Sequence, residues 1–183
     1  MAILDTVKQR RSVRHYLNKP VEREKIATCL EAARLAPSAC NSQPWKFIVV
    51  DDKELKDKLC DRAFKGLYQI SAFAKTAPVI IAIVSEKSKF LARVGGLIRD
   101  IKYYLIDIGI AGEHFVLQAE ELGLGTCWIG WFDEHPVKSL LNVPKEKRID
   151  VLISLGYPVN SDISARHDRE TMSQIATYNT YVS

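Results

Sequence analysis

The sequence lacks the cysteine and histidine spacings that metal sites and dithiol redox sites require. It contains no CxxC, and none of its four histidines lies at ligand spacing from another. We therefore predict no metal centre and no thioredoxin-type site. The cysteines are far apart in sequence and indicate no disulfide framework. We expect them to act as small apolar side chains in a reducing cytoplasm. They are Cys29, Cys40, Cys60 and Cys127.

Long apolar runs and common nucleotide or hydrolase motifs are also missing. The longest clean apolar run, 77–84, is too short for a membrane span and suits a buried strand. The first residues lack the apolar run and cleavage site of a secretory signal, so we expect a cytoplasmic protein without a membrane segment. The chain has no Walker A loop, HExxH or GxSxG. The glycines of 123–130 follow a helix and precede a strand, the reverse of the dinucleotide-binding order.

The net charge is small but concentrated. Lys and Arg number 26 and Asp and Glu number 22, giving +4, too little to indicate a nucleic-acid-binding protein. Residues 1–25 hold seven basic and three acidic side chains, so the remainder of the chain is neutral. This distribution indicates a local site for an anion near the N-terminus.

A chain of 183 residues suits one domain, predicted here over 1–183, with mixed helices and strands. Apolar spacing predicts helices over 21–36 and 100–122, and we also expect a charged helix over 53–65 and a short helix over 134–142. Strands are predicted over Lys46–Val50, Pro78–Val84, Thr126–Phe132 and Ile149–Leu155. The apolar stripe of 100–122, widened by Leu105, indicates a helix deep in a core or in a subunit interface. The last 25 residues are polar, with Tyr178 and Tyr181, and are typical of an arm that needs a surface.

Four segments could carry chemistry. Residues 10–14 place three arginines and a serine close together, which suits phosphate, although a solvated basic face is the alternative. Residues 36–45 offer the amides of Asn41 and Gln43 to a heteroaromatic edge, or form a loop whose Trp45 fills the core. Residues 123–131 could meet a planar ligand through their backbone, or form a core strand. Arg166 and Arg169 are late cations that are equally consistent with surface charge.

Taken in order, RRSVRHY, APSACNSQPWKFIVV, GLGTCWIGWF, LGYP and a late arginine resemble the nitroreductase family of FMN-dependent oxidoreductases. The resemblance spans nearly the whole chain and matches the family's compact branch. It implies an α+β fold, a three-layer α/β/α arrangement with a central, mainly antiparallel sheet. It also implies an intertwined homodimer with two FMN molecules at its interface. A C-terminal arm of about 160–183 would reach the partner subunit.

The resemblance also implies roles for individual residues at the phosphate end of the cofactor. Arg10 and Ser12 match contacts to the FMN phosphate and ribityl chain, and Arg11 is expected to assist. Arg169 matches a late basic residue that completes the phosphate site, with Arg166 as the alternate. Some relatives have a late Lys-x-Arg pair where this chain has His167-x-Arg169.

At the flavin ring, Arg14 matches a basic residue near N1 and O2, where a cation stabilises the reduced ring. Gln69 is a looser match near the pyrimidine edge. The other implied ring contacts come from two backbone segments, one on each side of the ring. They are Pro37, Ser38, Ala39 and Asn41 of the partner subunit, and Ile129 and Gly130 facing N5 and O4. Where many larger members have a Glu-Gly pair at this strand, this chain has Gly130-Trp131, and Trp131 would narrow or reshape the substrate side.

The activity implied is electron transfer from NADH or NADPH through flavin N5 to a small acceptor such as a nitroaromatic or quinone. It would follow a ping-pong mechanism with no catalytic side chain and no metal. The same fold hosts reductive dehalogenation and flavin fragmentation, which stay open as alternatives. A non-catalytic protein that binds nucleic acid through its basic N-terminus is the alternative from another class, although the neutral remainder of the chain argues against it.

Overall fold

The fold is built on a four-stranded antiparallel sheet with the strand order β1-β2-β4-β3. The computed structural model describes residues 2–86, 101–159 and 169–181. The strands are β1 (Trp45–Val50), β2 (Val79–Ser85), β3 (Gly125–Ile129) and β4 (Arg148–Gly156). The predicted α+β class and the antiparallel sheet are confirmed. The arm residues 160–168, including Arg166 and His167, lie outside the described part of the chain.

Four helices lie at the predicted positions with shorter ends, whereas the first and the last helix of the chain, α1 and α6 below, were not predicted. They are α1 (Ile3–Gln9), α2 (Arg23–Arg34), α3 (Lys53–Ala63), α4 (Tyr103–Glu121), α5 (Glu134–Leu140) and α6 (Met172–Ile175). Two 3₁₀ segments, Ala39–Asn41 and Gly66–Thr76, were not predicted. The strand predicted to run to Phe132 ends at Ile129. Beyond it the carbonyl of Trp131 accepts a hydrogen bond from Ser71 Oγ at 2.8 Å, so the chain has left the sheet for the 66–76 segment.

Helices cover both faces of the sheet, which confirms the three-layer arrangement. Alternate residues of a strand point to opposite faces, and β2 is buried on both. Val79, Ile81 and Ile83 pack with apolar side chains of α2 and α4. Ile80, Ala82 and Val84 pack with those of α3 and α5. The short apolar run that predicted β2 is therefore that of a central strand without a solvent face. Within the described residues, no helix combines the length and apolar character needed to cross a bilayer.

The long helix α4 buries one face in its own chain and leaves another exposed. Ile108, Ala111, Phe115 and Ala119 are buried among α2 and the sheet. Leu105, predicted to widen the buried stripe, is 42% exposed, and its neighbour Ile106 is 52% exposed. The apolar stripe of α4 is therefore wider than the surface that α2 and the sheet of the same chain cover.

Gly112 allows α4 to pack against the sheet, and its replacement tests that packing. A Cβ at this position would lie 2.2 Å from Trp128 Cη2. We expect Gly112→Ala to lower the free energy of unfolding by roughly 1–3 kcal/mol, because overpacking outweighs the better helix propensity of alanine. Gly109→Ala is the matched control on the same helix, since a Cβ there meets nothing within 4 Å. Urea denaturation of both variants gives the comparison. Equal stability of Gly112→Ala and the parent protein would contradict this account.

Three of the four cysteines are buried in the apolar layers, as predicted for small apolar side chains. Cys29, Cys60 and Cys127 are buried, whereas Cys40 is exposed. Burial raises the pKa of the Cys29 thiol to about 12 and that of Cys60 to about 11. Both therefore stay protonated and unreactive near neutral pH.

Candidate active site

The arginine-rich N-terminal segment lies along the first residues of β3. Ser12 pairs with Thr126 in a parallel bridge, and the Val13 amide donates to the Thr126 carbonyl at 2.9 Å. Gly125 makes this approach possible, because a Cβ there would lie 2.6 Å from Val13 Cγ2. Tyr16 holds the other end, donating to the Val13 carbonyl at 2.7 Å. Residues 10–14 are thus held against one edge of the sheet.

Arg10 and Arg11 follow the end of α1 and differ in what they bind. Arg11 Nη1 donates to the carbonyls of Lys8, Gln9 and Arg10 at 2.7–3.0 Å, which satisfies free carbonyls at the end of the helix. Its Nε is buried and has no acceptor among the described residues. A buried donor without an acceptor is costly, so this atom indicates a missing anionic or polar partner.

The Arg10 guanidinium forms no hydrogen bond or ion pair with a residue in the described ranges, so it too is available to an anion. Both arginines act on Glu120, near the end of α4. Burial raises the pKa of this carboxyl, while the charges of Arg10 and Arg11 oppose that rise. The charges of the two arginines therefore act on the end of α4, the helix against which α1 packs.

Arg14 is joined to the end of β3 through the 66–76 segment. Its Cζ lies 5.7 Å from the centre of the Phe73 ring. Ser71 Oγ donates to the Trp131 carbonyl, and Trp131 Nε1 donates to the Leu67 carbonyl, both at 2.8 Å. These bonds place the exposed Gln69 in the segment that also holds Trp131. No sequence pattern had indicated this link between 66–76 and the end of β3.

Gly130 presents open backbone at this edge. A Cβ built there meets nothing within 4 Å, while the neighbouring Ile129 is buried. The rings of Tyr68 and Trp131 lie beside it, with centroids 5.3 Å apart. Free space over a backbone, next to aromatic rings, is suited to a planar ligand.

The loop of residues 37–43 has an unusual backbone and a buried anchor. Cys40, Asn41 and Gln43 adopt positive φ of 53°, 49° and 46°. The Ala39 amide donates to Asp107 Oδ1 at 3.0 Å, and Gln43 Nε2 donates to Asn41 Oδ1 at 3.0 Å. The side-chain amides of Asn41 and Gln43 are therefore hydrogen-bonded to each other, which uses part of their hydrogen-bonding capacity. Sequence reasoning missed Asp107, although a single acid on an apolar helical stripe was a usable signal.

This loop lies at the opposite edge of the sheet from the arginines. It leads into β1, whereas Ser12 pairs with β3, and β2 and β4 lie between them. Three strand spacings separate the edges by about 14 Å. The structure thus places these predicted residues along β3 or at its end: Arg10, Arg11, Ser12, Arg14, Ile129 and Gly130; Gln69 is exposed in the 66–76 segment that binds Trp131. The structure does not bring Pro37, Ser38, Ala39 and Asn41 to them within one chain.

Arg169 is exposed in the described C-terminal segment 169–181. It forms no hydrogen bond or ion pair with another described residue. The neighbouring Tyr178 and Tyr181 are about nine-tenths exposed. The role implied for Arg169 at the phosphate stays a prediction.

Comparison with known proteins identifies the family to which this arrangement belongs. The Nitroreductase family model matches residues 7–157, from the arginine segment through β4. The chain belongs to the nitroreductase family. An FMN-dependent nitroreductase from Clostridium difficile R20291 superposes with a TM-score of 0.77 at 32% identity, covering 97% of this chain and 99% of that one.

Two curated relatives show the range of the family. An iodotyrosine deiodinase of Thermotoga neapolitana is 29% identical over 98% of each chain. An NADH dehydrogenase of Thermus thermophilus is 30% identical over 82% of this chain and 83% of its own. Family membership indicates an oxidoreductase, and the differing names of the relatives leave the reaction to be argued from the site.

Proposed function

We propose that the protein is an FMN-dependent oxidoreductase that passes electrons from NADH or NADPH to a small acceptor such as a nitroaromatic or quinone, in a ping-pong cycle. FMN, when bound, supplies the hydride-accepting and hydride-donating centre. The observation that carries the proposal is the β3 edge. Along that edge lie the Arg10 guanidinium, which forms no hydrogen bond or ion pair with a described residue, the buried Arg11 Nε, and the open backbone of Gly130.

At one end of this surface the chain offers a site for phosphate. Among the described residues, the Arg10 guanidinium has no hydrogen-bond or ion-pair partner and the buried Arg11 Nε has no acceptor, and Ser12 lies beside Thr126. Planar guanidinium donors match phosphate oxygens and remain charged at all relevant pH values. Because Arg11 Nη1 is occupied at the end of α1, we assign the larger share of phosphate binding to Arg10. Arg169 would complete the site from the C-terminal arm.

At the other end the chain offers a site for the flavin ring. Arg14 would supply a fixed positive charge near N1 and O2, where negative charge develops on reduction. The backbone of Ile129 and Gly130 would face the N5 side, and Gln69 would lie at the pyrimidine edge. Trp131, held by Leu67 and Ser71, would limit the space open to the acceptor. No side chain has to move a proton in this scheme, so the protein's part is to bind, orient and stabilise charge.

The separation of the two half-sites supports a homodimer. A second copy could bring its 37–41 loop to the ring held at the β3 edge of the first, so that each chain completes the other's site. Exposed apolar side chains support this assembly, with Ile3 79% exposed, Leu4 60% and Ile106 52%. The C-terminal arm of 160–183 would then lie on the partner subunit.

The proposal is tested by the spectrum of the purified protein. We expect a yellow protein with flavin absorbance, which bleaches anaerobically with NADH or NADPH and recovers when a nitroaromatic or quinone is added. Heat-released flavin should be FMN, and light scattering should give twice the chain mass. A colourless protein that does not rebind added FMN would contradict the proposal.

Reductive dehalogenation is a second candidate, favoured by the likeness to the Thermotoga deiodinase over nearly the whole of both chains. The two activities are separated by supplying iodotyrosine to the reduced protein and measuring iodide release. Iodide formed at the rate of flavin reoxidation would favour dehalogenation. Reoxidation by quinone without iodide formation would favour the nitroreductase-like activity.

A further inference from the structure

Asp107 is the one charged residue among the buried positions of α4. The other buried residues of this helix are Ile108, Ala111, Gly112, Phe115, Val116 and Ala119. Asp107 is 3% exposed. Burial of a carboxyl group costs free energy unless hydrogen bonds replace its water. An apolar side chain of similar size would fill the same space without that cost, so the carboxylate calls for an explanation beyond packing.

Both oxygens of Asp107 bind the 37–43 loop. Oδ1 accepts from the Ala39 amide at 3.0 Å, and Oδ2 accepts from Ser42 Oγ at 3.5 Å. No other hydrogen bond or ion pair of this carboxylate to a described residue is present. These two hydrogen bonds attach the 37–43 loop to the N-terminal half of α4.

The loop held in this way is one that would not keep its shape unaided. Cys40, Asn41 and Gln43 all have positive φ, which costs up to about 1–2 kcal/mol for a residue with a Cβ, and less for asparagine. Such conformations persist only where the surroundings determine them. A hydrogen bond within the loop helps to hold this conformation, since the backbone amide of Gln43 donates to Ser38 Oγ at 3.0 Å. Within the described ranges, Asp107 is the only side chain outside the loop that hydrogen-bonds to it.

We propose that Asp107 is a positioning residue for flavin binding. It holds Ser38, Ala39 and Asn41 in the shape in which they contact the flavin carried by the partner subunit. This inference rests on the proposed function, because the loop matters to activity only if it lies against the ring. Asp107 itself touches no flavin in this arrangement and acts through the backbone of Ala39 and the hydroxyl of Ser42.

Three variants test the role by FMN titration of the apoprotein. Asp107→Leu removes both acceptors with little change in volume, and we expect FMN to bind at least tenfold more weakly while the dimer and thermal stability are kept. Asp107→Asn keeps an acceptor for the Ala39 amide and can donate to Ser42 Oγ, so affinity should return to within about threefold of the parent. Ser42→Ala removes only the longer bond and should change affinity about twofold. Equal FMN affinity of Asp107→Leu and the parent protein would overturn the proposal.

A second measurement does not depend on the cofactor. Amide hydrogen exchange followed by NMR on the parent apoprotein should show Ala39 protected, and Asp107→Leu should remove that protection. An unprotected Ala39 amide in the parent protein overturns the proposal even if Asp107→Leu fails to fold. Failure of the proposed function gives a different result, in which the parent protein binds no FMN while the exchange rates still depend on Asp107.

Discussion

Replacing Arg10 with alanine should weaken FMN binding by about 10- to 100-fold. The guanidinium of Arg10 forms no hydrogen bond or ion pair with a described residue, so its donors are not committed to the fold. A hydrogen bond to a charged group contributes roughly 1.5–3 kcal/mol, and each 1.4 kcal/mol corresponds to a factor of ten. Titration of the apoprotein with FMN, followed by quenching of flavin fluorescence, gives the dissociation constants. Riboflavin, which lacks the phosphate, should bind the parent protein and Arg10→Ala almost equally.

Lys8→Ala is the matched control for Arg10→Ala. Lys8 is exposed on α1, two residues away, and its loss removes the same unit of charge. If the phosphate responds only to the overall field of the basic N-terminus, both variants should weaken FMN binding to a similar degree. We expect Lys8→Ala to change the affinity less than about twofold. A similar loss of FMN affinity in both variants would contradict the assignment of Arg10 to the phosphate site.

Replacing Arg14 with alanine should make the bound flavin harder to reduce. Arg14 is exposed beside the Phe73 ring, at the edge that also holds Gly130 and Trp131. Loss of a cation next to the negative charge of the reduced ring disfavours the reduced state. We expect the two-electron midpoint potential to fall by about 30–60 mV, since 30 mV corresponds to about 1.4 kcal/mol for this couple. Reduction by xanthine and xanthine oxidase against a reference dye measures the potential.

Arg14→Lys separates charge from geometry. Lysine keeps the positive charge but not the planar fork, so the potential should return most of the way to that of the parent protein. If Arg14 only helps to retain the cofactor, Arg14→Ala will weaken the binding of oxidised FMN and of reduced FMN by the same factor. The midpoint potential would then stay unchanged, which would exclude the assigned role.

The candidate site could be predicted from the sequence where its chemistry is local. The arginine cluster of 10–14 and the small residues of 36–43 are consecutive, so their composition is visible without a fold. Arg11 shows the limit of such a prediction. The sequence predicted that the Arg11 guanidinium could bind a phosphate. In the structure, Nη1 donates to three carbonyls at the end of α1, and Nε is buried without an acceptor among the described residues. The backbone path decides which donors remain for a ligand.

Residues that act across the chain could not be assigned from the sequence. Asp107 is separated from Ala39 by 68 positions, and Ser71 from Trp131 by 60. Neither pair shares a motif, and each depends on where α4 or the 66–76 segment packs. The predicted strand ran to Phe132, beyond the observed end of β3 at Ile129, for the same reason. Gly130 to Phe132 are apolar enough for a strand, but Trp131 is hydrogen-bonded to Leu67 and Ser71 of the 66–76 segment.

By itself, the sequence determined the alternation of helices and strands, the buried character of β2 and the family, and it predicted a local anion site near the N-terminus. These follow from periodicity, composition and consecutive motifs, which are properties of neighbouring residues. Only the tertiary structure decided that the arginines and the 37–41 loop lie at opposite sheet edges. That separation follows from the strand order β1-β2-β4-β3, which is set by packing on both faces of the sheet. It is also the physical reason that two chains, rather than one, are proposed to complete each flavin site.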